Sequence, residues 1–339
     1  MSYELIGITV LWLFLFGYII VASIDFGAGF FSMHAKLFGE SKKINGLIQR
    51  YLNPVWEVTN VFFVFFFVGI VGFFPDTAYY YGTALLVPGS LALILLAARG
   101  AFYAFENYGQ DSKLSWLMIY AISGLLIPAS LSTVLTISEG GYLIRTSNDL
   151  VDLDWIALLL SPYGWAVVLL SIVTVLYVSS GFLTFYAHRA KDEEAYLLLR
   201  KWFLMWGAPM IMISLFVFLS LRVQNKTHFD TAVFTYGWLF IISFIAFLIA
   251  GILTYLKKAH GMAFIFVIIQ IGTAFFGYGI SKLPYLLYPY VRIDHAVTND
   301  SMAIALIIVF ILGLVLLLPS LALLLKLFVF DKDYVRGRK

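Results

Sequence analysis

Long apolar runs alternate with short polar connections along the whole sequence. Each run holds about 20 apolar residues, the length that an α-helix needs to cross the hydrocarbon core of a bilayer. Backbone groups in lipid must be satisfied within their own segment, so every run is predicted to be helical. The pattern predicts an all-α integral membrane protein with nine transmembrane helices. These spans are expected near residues 5–31, 54–74, 83–105, 114–136, 163–186, 202–221, 235–256, 261–280 and 302–325.

Lys and Arg residues are concentrated in alternate connections between the predicted spans. The connections after spans one, three, five and seven and the C-terminal tail carry most of the 22 basic residues, whereas the N-terminal tail carries none. Basic connections stay in the cytoplasm, so we expect the N-terminus outside and the C-terminus in the cytoplasm. The acidic stretch from Ile137 to Pro162 is then external and too short for a separate domain. We interpret residues 1–339 as a single membrane domain.

The composition excludes several classes of protein. Of 339 residues, 62% are hydrophobic and 12% are charged, against about 25% charged residues in soluble domains. The net charge of +3 is spread thinly between apolar runs, which leaves no basic surface for nucleic acid. The absence of cysteine excludes disulfides, thiolate catalysis and cysteine-ligated metals. The first run lacks a basic n-region, so it is predicted to be a membrane span rather than a signal peptide.

Ionisable residues occur inside the apolar runs only in the first three spans. Asp25 lies in the first, Glu57 in the second, Arg99 in the third, and Glu106 at the end of the third. A buried Asp costs roughly 2.5–3.5 kcal/mol on insertion scales, so such residues are usually functional. All four are expected at similar depth on the cytoplasmic side, where Asp25 and Glu57 would carry or hold a proton. The alternative is that each residue caps a helix or reaches the membrane surface.

Asn53 and Pro54 are predicted to begin the second span. Asn is a preferred N-cap residue, and Pro suits the first helical position. Glu57 would then lie in the opening turn, where the helix dipole favours a carboxylate.

All five histidines fall at or beyond the ends of the predicted spans. A transmembrane haem needs axial His or Met side chains that face into the bundle. We therefore expect neither a haem nor a metal bound directly by this chain, while a bound quinone stays open. The histidines are His34, His188, His228, His260 and His295.

Several short motifs resemble subunit II of cytochrome bd quinol oxidase, and the resemblance covers the whole chain. They are Gly17-Tyr18, Asp25-Phe26-Gly27-Ala28-Gly29, Asn53-Pro54-Val55-Trp56-Glu57, Arg99-Gly100-Ala101-Phe102, Pro284-Tyr285-Leu286-Leu287-Tyr288-Pro289 and Pro319-Ser320-Leu321-Ala322. The resemblance implies two four-helix bundles plus one peripheral helix in a prokaryotic cell membrane. It also implies a heterodimer with subunit I, which holds haems b and d and the quinol site and reduces oxygen to water.

The same resemblance implies roles for individual residues. Glu57, which follows Trp56, would lie on a route that brings cytoplasmic protons toward the haem site, and Asp25 would belong to that route. The supporting residues would be Asn53, Trp56, Arg99 and Glu106. The sequence departs from the family pattern at Asn60, where other members often carry a second carboxylate.

The sequence therefore leaves three alternative functions. The first is a haem-free subunit that scaffolds subunit I and conducts protons, and the second is a purely structural partner. The third is an ion-coupled secondary transporter, although its charges would be expected near the membrane midplane. Membrane lipid and quinol are expected ligands of the complex, and a small single-helix accessory subunit is left open.

Overall fold

The computed structural model describes the backbone of residues 3–108, 114–145, 151–294, 300–329 and 331. Within these ranges, the side chains of residues 42, 49–59, 102–108, 145 and 300 lie outside the description. Helices make up nearly all of the described backbone, with two short hairpins between them. The predicted all-α class is confirmed.

The helices follow one another with short connections. In chain order the α-helices are α1 (Tyr3–Leu37), α2 (Ser41–Phe73), α3 (Pro75–Ala84), α4 (Leu86–Tyr108), α5 (Leu114–Leu131), α6 (Thr133–Ser138), α7 (Trp155–Leu160), α8 (Pro162–Ala190), α9 (Glu193–Gln224), α10 (Lys226–Asp230), α11 (Gly237–Tyr255), α12 (His260–Lys282) and α13 (Asp300–Phe328). A single π-helical turn, Thr231–Thr235, separates α10 from α11.

Each of the nine predicted apolar runs corresponds to a helix, but fewer than nine helices of the described chain are long and apolar enough to count as spans. In the described chain, seven helices are long and apolar enough to cross a membrane. An eighth span arises if residues 60–73 and α3 count together, although they meet at 118°. The break falls at Pro75, where a proline cannot continue the hydrogen-bonding ladder. The described apolar part of α4, Leu86–Ala101, is short for a span.

The prediction that the second helix begins at Pro54 is wrong, because α2 already begins at Ser41. Ile44, Leu47 and Ile48 lie at helical spacing and are buried, so an apolar face stabilises helix well before the proline. Asn53 is therefore inside α2 and not its N-cap. Glu57 lies in the interior of this helix rather than in its opening turn.

The predicted external connection from Ile137 to Pro162 contains regular structure. Strand β1 (Leu143–Arg145) pairs antiparallel with β2 (Val151–Leu153), with Leu143 opposite Leu153. Helix α7 follows at once, with Asp154 as its N-cap. A second hairpin pairs β3 (Tyr285–Leu287) with β4 (Val291–Arg292) beyond the end of α12.

Helix α1 is the central element of the fold. It packs against α2, α5 and α8, while α4 packs on α5, α8 on α9, and α11 on α12. One apolar cluster joins the second half of α1 to α8 and α9. Another joins the first half of α1 to α2 and α13, where Phe14 meets Phe65 and Phe310. Every residue of α1 from 22 to 29 is buried, so a charge placed there must find its partner inside the protein.

Candidate functional site

Asp25 and Arg99 form a buried ion pair between α1 and α4. Both residues are almost fully buried, at 2% and 1% exposure. Arg99 Nη2 donates to Asp25 Oδ1 at 3.0 Å, and Nε donates to Oδ2 at 3.2 Å. Nη2 also donates to the backbone carbonyl of Asp25 at 2.7 Å. The Nε and Nη2 donors of the guanidinium thus bind the two carboxylate oxygens side by side. This arrangement makes Arg–carboxylate pairs strong and directional.

Tyr120 of α5 completes the pair. Its hydroxyl donates to Asp25 Oδ1 at 3.0 Å, and its backbone carbonyl accepts from Arg99 Nη1 at 2.7 Å. The guanidinium carbon of Arg99 lies 3.7 Å from the centroid of the Tyr120 ring and 5.0 Å from that of Phe26. A cation over an aromatic face is attracted to the ring, and burial strengthens the attraction. Three helices thus share one polar centre in an apolar interior.

Small residues let the helices approach closely around this centre. A Cβ atom on Gly124 would lie 2.7 Å from the carbonyl oxygen of Phe26 and 2.9 Å from Arg99 Nη1. Gly27 packs directly on Ser179 of α8, whose hydroxyl donates to the carbonyl of Ile24 at 3.0 Å. Small residues at helix contacts are a general feature of membrane proteins. Here they bring Arg99 within reach of the short Asp25 side chain.

The described residues use only part of the hydrogen-bonding capacity of the Asp25 carboxylate. Within the described residues, Oδ1 accepts from Arg99 and Tyr120, and Oδ2 accepts from Arg99 alone. Carboxylate oxygens offer about four lone-pair sites in total. Oδ2 is therefore the atom at which a water or another acidic group could exchange a proton with this centre.

Tyr18 lies two helical turns before Asp25 on α1. Its side chain is 7% exposed and packs on Phe63, with ring centroids 5.2 Å apart. The hydroxyl has no hydrogen-bond partner among the described residues. Buried hydroxyls are normally satisfied, so this group has unused capacity to bind a water or an acid.

The structure brings together only part of the predicted site. Asp25 and Arg99 meet, whereas the side chains of Glu57, Asn53, Trp56 and Glu106 lie outside the described residues.

The sequence prediction also missed Tyr120, the third member of the buried centre. No sequence signal distinguishes this tyrosine from the many other aromatic residues of the spans. Only its place on α5, opposite Asp25, makes it a partner.

A second buried polar cluster surrounds Glu139, just beyond α6. Glu139 is 1% exposed. Its carboxylate pairs with Lys282 Nζ at 3.2 Å and with His228 Nδ1 at 3.0 Å, and the Tyr278 hydroxyl donates to it as well. Burial opposes ionisation of Glu139, but Lys282 and His228 outweigh it and lower the pKa of this carboxyl to about 2.

This Glu139 cluster holds the hairpins against the ends of the helices. Asn225 Nδ2 donates to Glu139 Oε2 at 3.0 Å, and His228 Nε2 lies 2.9 Å from the Ser281 hydroxyl. The neighbouring Ser138 carbonyl accepts from the Tyr288 backbone N–H at 3.0 Å. The sequence prediction placed Glu139 only within the external acidic stretch and gave it no partner, because nothing in the sequence shows that Lys282 folds back onto it.

The four described histidines occupy different environments. His228 belongs to the Glu139 cluster, His34 packs on Trp202, and His188 stacks on His260. No group of three or more His, Cys, Asp or Glu side chains that could hold a metal occurs in the described part of the chain. His295 lies outside that part.

The apolar helices and the buried Asp25–Arg99 centre define a polytopic all-α membrane protein with an ionisable site inside it. Comparison with known proteins gives the family. A family model described as cytochrome bd terminal oxidase subunit II matches residues 3–328. A putative cytochrome bd menaquinol oxidase subunit II from Bacillus subtilis (strain 168) is 34% identical over 340 residues, which cover 98% of this chain and 97% of that protein.

A solved structure agrees with the sequence matches. The structure of bd oxidase from Geobacillus thermodenitrificans contains a chain that is 53% identical, with a TM-score of 0.85, over 98% of this chain and all of that chain. The chain belongs to the cytochrome bd oxidase subunit II family, so the resemblance seen in the motifs is confirmed. It is a multi-pass protein of a prokaryotic cell membrane and part of a quinol oxidase complex. This membership sets aside the transporter alternative.

Proposed function

We propose that this subunit conducts cytoplasmic protons toward the oxygen-reducing site of its complex, and that it scaffolds the haem-bearing subunit I. The observation that carries the proposal is the buried Asp25–Arg99–Tyr120 centre. An ion pair in a bilayer interior is costly to build, and apolar residues of similar volume would often be as stable. The presence of this costly ion pair in the chain therefore favours a role in proton transfer.

Features of the centre support a role as a proton relay. Arg99 keeps a positive charge beside the Asp25 carboxylate, and Tyr120 fixes the orientation of Oδ1. Oδ2 keeps capacity to accept a proton-bearing water or acid. We infer that Glu57 supplies the neighbouring acid and that Asn53, Trp56 and Glu106 support the entrance.

The positions of the helices support the proposed arrangement in the complex. We propose two four-helix bundles, α1 with α2, α4 and α5, and α8 with α9, α11 and α12, with α13 on the periphery. The pairing of α1 with α2 and α5, and of α8 with α9, favours this grouping. The nine apolar runs favour nine spans, and the distribution of basic residues favours an external N-terminus and a cytoplasmic C-terminus, with residues 1–339 as one membrane domain.

We infer that haems b and d are held by subunit I and supply the electron-transfer and oxygen chemistry there. In this chain, the described imidazoles already contact other side chains. His228 is engaged by Glu139 and Ser281, and His188 and His260 stack face to face.

The proposal is tested by oxygen consumption of the purified complex with quinol as donor. Asp25→Asn and Glu57→Gln, singly and together, should lower the rate about tenfold or more, because groups that load and release protons act as general acids and bases. Asp152→Asn is the matched control, since Asp152 is exposed on β2. The reduced-minus-oxidised spectrum establishes that each variant still holds its haems. Full activity in the double variant would favour a purely structural partner.

A further inference from the structure

Helix α7 carries an apolar surface that the described part of the chain leaves uncovered. All six residues of this helix are apolar. Ile156 and Leu160 are 73% and 75% exposed, and Trp155 and Leu159 are exposed as well. Leu158 is buried and anchors the helix in the apolar cluster around the first half of α1. A contiguous exposed apolar surface of this kind marks a site of contact with a membrane or another molecule.

The two ends of α7 are fixed to the rest of the protein. Ser161 is extended, with φ of −73° and ψ of 117°, and it ends α7 while it caps α8. Its hydroxyl accepts from the Gly164 backbone N–H at 3.0 Å and lies 2.7 Å from the Tyr142 hydroxyl. At the other end, the Asp154 carboxylate accepts from the Ala157 backbone N–H at 2.9 Å. The exposed side chains of α7 therefore project from a defined position beside the start of α8.

The exposed surface of α7 continues onto α8. Trp165 of α8 is exposed, and its indole Nε1 donates to the carbonyl of Leu159 at 2.8 Å. Leu169, one turn further along α8, is also exposed. Helix α8 is long and apolar enough to cross a membrane. The apolar surface of α7 is thus continuous with the exposed surface of a membrane span, at the level where that span begins.

Polar and aromatic residues mark the boundary between water and lipid at this level. Asp152 of β2 is exposed shortly before α7, and an unpaired exposed carboxylate is costly in hydrocarbon. Trp155 and Trp165 lie on either side of the corner between α7 and α8. Tryptophan is enriched where membrane spans meet water, because its ring is apolar and its N–H is polar. These two tryptophans favour lipid over a protein surface as the partner of α7.

We propose that α7 lies in the interfacial region of the bilayer, with Ile156, Leu159 and Leu160 among the upper acyl chains of the adjacent leaflet. Interfacial helices bury their apolar face about 5–10 Å into the boundary between headgroups and acyl chains. This contact sets the depth of α8 and holds the β1–β2 hairpin at the water side of the membrane. The inference rests on the membrane location of the chain and not on the proton route, so either proposal can fail without the other.

The test is the depth of spin labels on α7 in the purified oxidase complex, reconstituted in lipid nanodiscs. The chain has no cysteine, so Ile156→Cys and Leu160→Cys each introduce a single thiol into it. The wild-type complex, treated identically, gives the background from the partner subunit. Collision rates of each label with oxygen, which concentrates in lipid, and with a water-soluble nickel chelate report its depth. Both labels should lie about 5–10 Å below the lipid phosphates.

Two control variants calibrate the measurement. Asp152→Cys places a label on the exposed side of β2, and Ile245→Cys places one on the exposed middle of α11. The nickel collision rate on α7 should be about fivefold lower than at Asp152→Cys. The Ile245→Cys label should be deeper, at about 15 Å, half the thickness of the hydrocarbon core.

Two results would overturn the proposal. A nickel collision rate at either α7 position equal to that at Asp152→Cys would mean that the helix faces water. Collision rates at α7 that are lower for both reagents than at either control would mean that a protein surface covers the helix. The reduced-minus-oxidised spectrum establishes that each labelled complex still holds its haems.

Discussion

Arg99 binds Asp25 through both the side chain and the main chain, with Nη2 at 3.0 Å from the carboxylate and 2.7 Å from the backbone carbonyl. The guanidinium therefore fixes the position of α1 as well as the orientation of the acid. A planar guanidinium holds its several donors in a fixed geometry for this, which an ammonium group on a flexible stem does not. The pair is both a structural connection between α1 and α4 and the candidate proton-handling group.

The two roles of the pair are separable by a double-mutant cycle. Asp25→Asn alone leaves Arg99 charged and unpaired in an apolar interior, which should cost about 3–5 kcal/mol of stability. Adding Arg99→Gln removes the unpaired charge, so the double variant should unfold at a higher temperature than Asp25→Asn. Thermal unfolding of the purified complex measures this difference. If the roles are distinct, the double variant regains stability while its oxygen consumption remains low.

Recovery of both stability and activity in that double variant would contradict the relay role. It would mean that Asp25 serves only to neutralise Arg99.

Tyr120→Phe removes one hydrogen bond to a buried carboxylate and keeps the ring beneath the guanidinium. The loss should destabilise the complex by about 1.5–3 kcal/mol, the range for hydrogen bonds to charged groups. Thermal unfolding should show a lower midpoint than in wild type. Tyr3→Phe, at an exposed tyrosine at the start of α1, should change nothing. Equal midpoints for Tyr120→Phe and wild type would argue against the hydrogen bond to Asp25.

Gly124→Ala tests the close approach of α5 to α1. The new methyl group would meet the Phe26 carbonyl and Arg99 Nη1, so either the backbone or the ion pair must shift, at a cost of about 1–3 kcal/mol. Gly251→Ala in α11 is the matched control, because nothing lies within 4 Å of a Cβ atom at that position. It should stabilise the helix by about 0.5–1 kcal/mol. The melting temperature should therefore fall in Gly124→Ala and rise in Gly251→Ala.

The Glu139 cluster gives a pH dependence with a definite sign. The pKa of Glu139 falls from its usual 4.5 to about 2. A lowered folded-state pKa adds stability above pH 4.5 that is lost as the pH falls toward 2. The contribution is about 3 kcal/mol, at about 1.4 kcal/mol per pKa unit. Melting temperatures between pH 6 and pH 3 should fall less steeply in Glu139→Gln than in wild type.

Glu139→Gln should also be less stable than wild type at neutral pH, since Lys282 and His228 then lose their buried partner. Asp76→Asn is the control, at an exposed acid in the first turn of α3. Parallel pH curves for Glu139→Gln and wild type would refute this account of the cluster.

The helices of this fold could be predicted from the sequence because a membrane helix is recognised by the length and apolarity of its segment. Every predicted run became a helix, and the buried charges at Asp25 and Arg99 were identified by their cost in lipid. The start of α2 was missed because the cap residues Asn53 and Pro54 are a local signal. Packing of Ile44, Leu47 and Ile48 against the rest of the protein outweighed it.

The polar partners could not be predicted, because they come from distant parts of the chain. Tyr120 reaches Asp25 across 95 positions, and Glu139 lies 89 positions from His228. Neither partner carries a local signature in the sequence. The Glu139 cluster was missed for the further reason that external acids are usually solvated, and only the folded arrangement of α6, α10 and α12 buries this one.

Proton uptake during a single oxygen pulse tests the central proposal most directly. The complex would be studied in sealed vesicles whose cytoplasmic side faces a pH-sensitive dye, with wild type compared to Asp25→Asn/Glu57→Gln. The account predicts that proton uptake in the variant slows about tenfold or more while its haem spectrum is unchanged. Uptake at the wild-type rate would contradict it and leave the subunit as a purely structural partner.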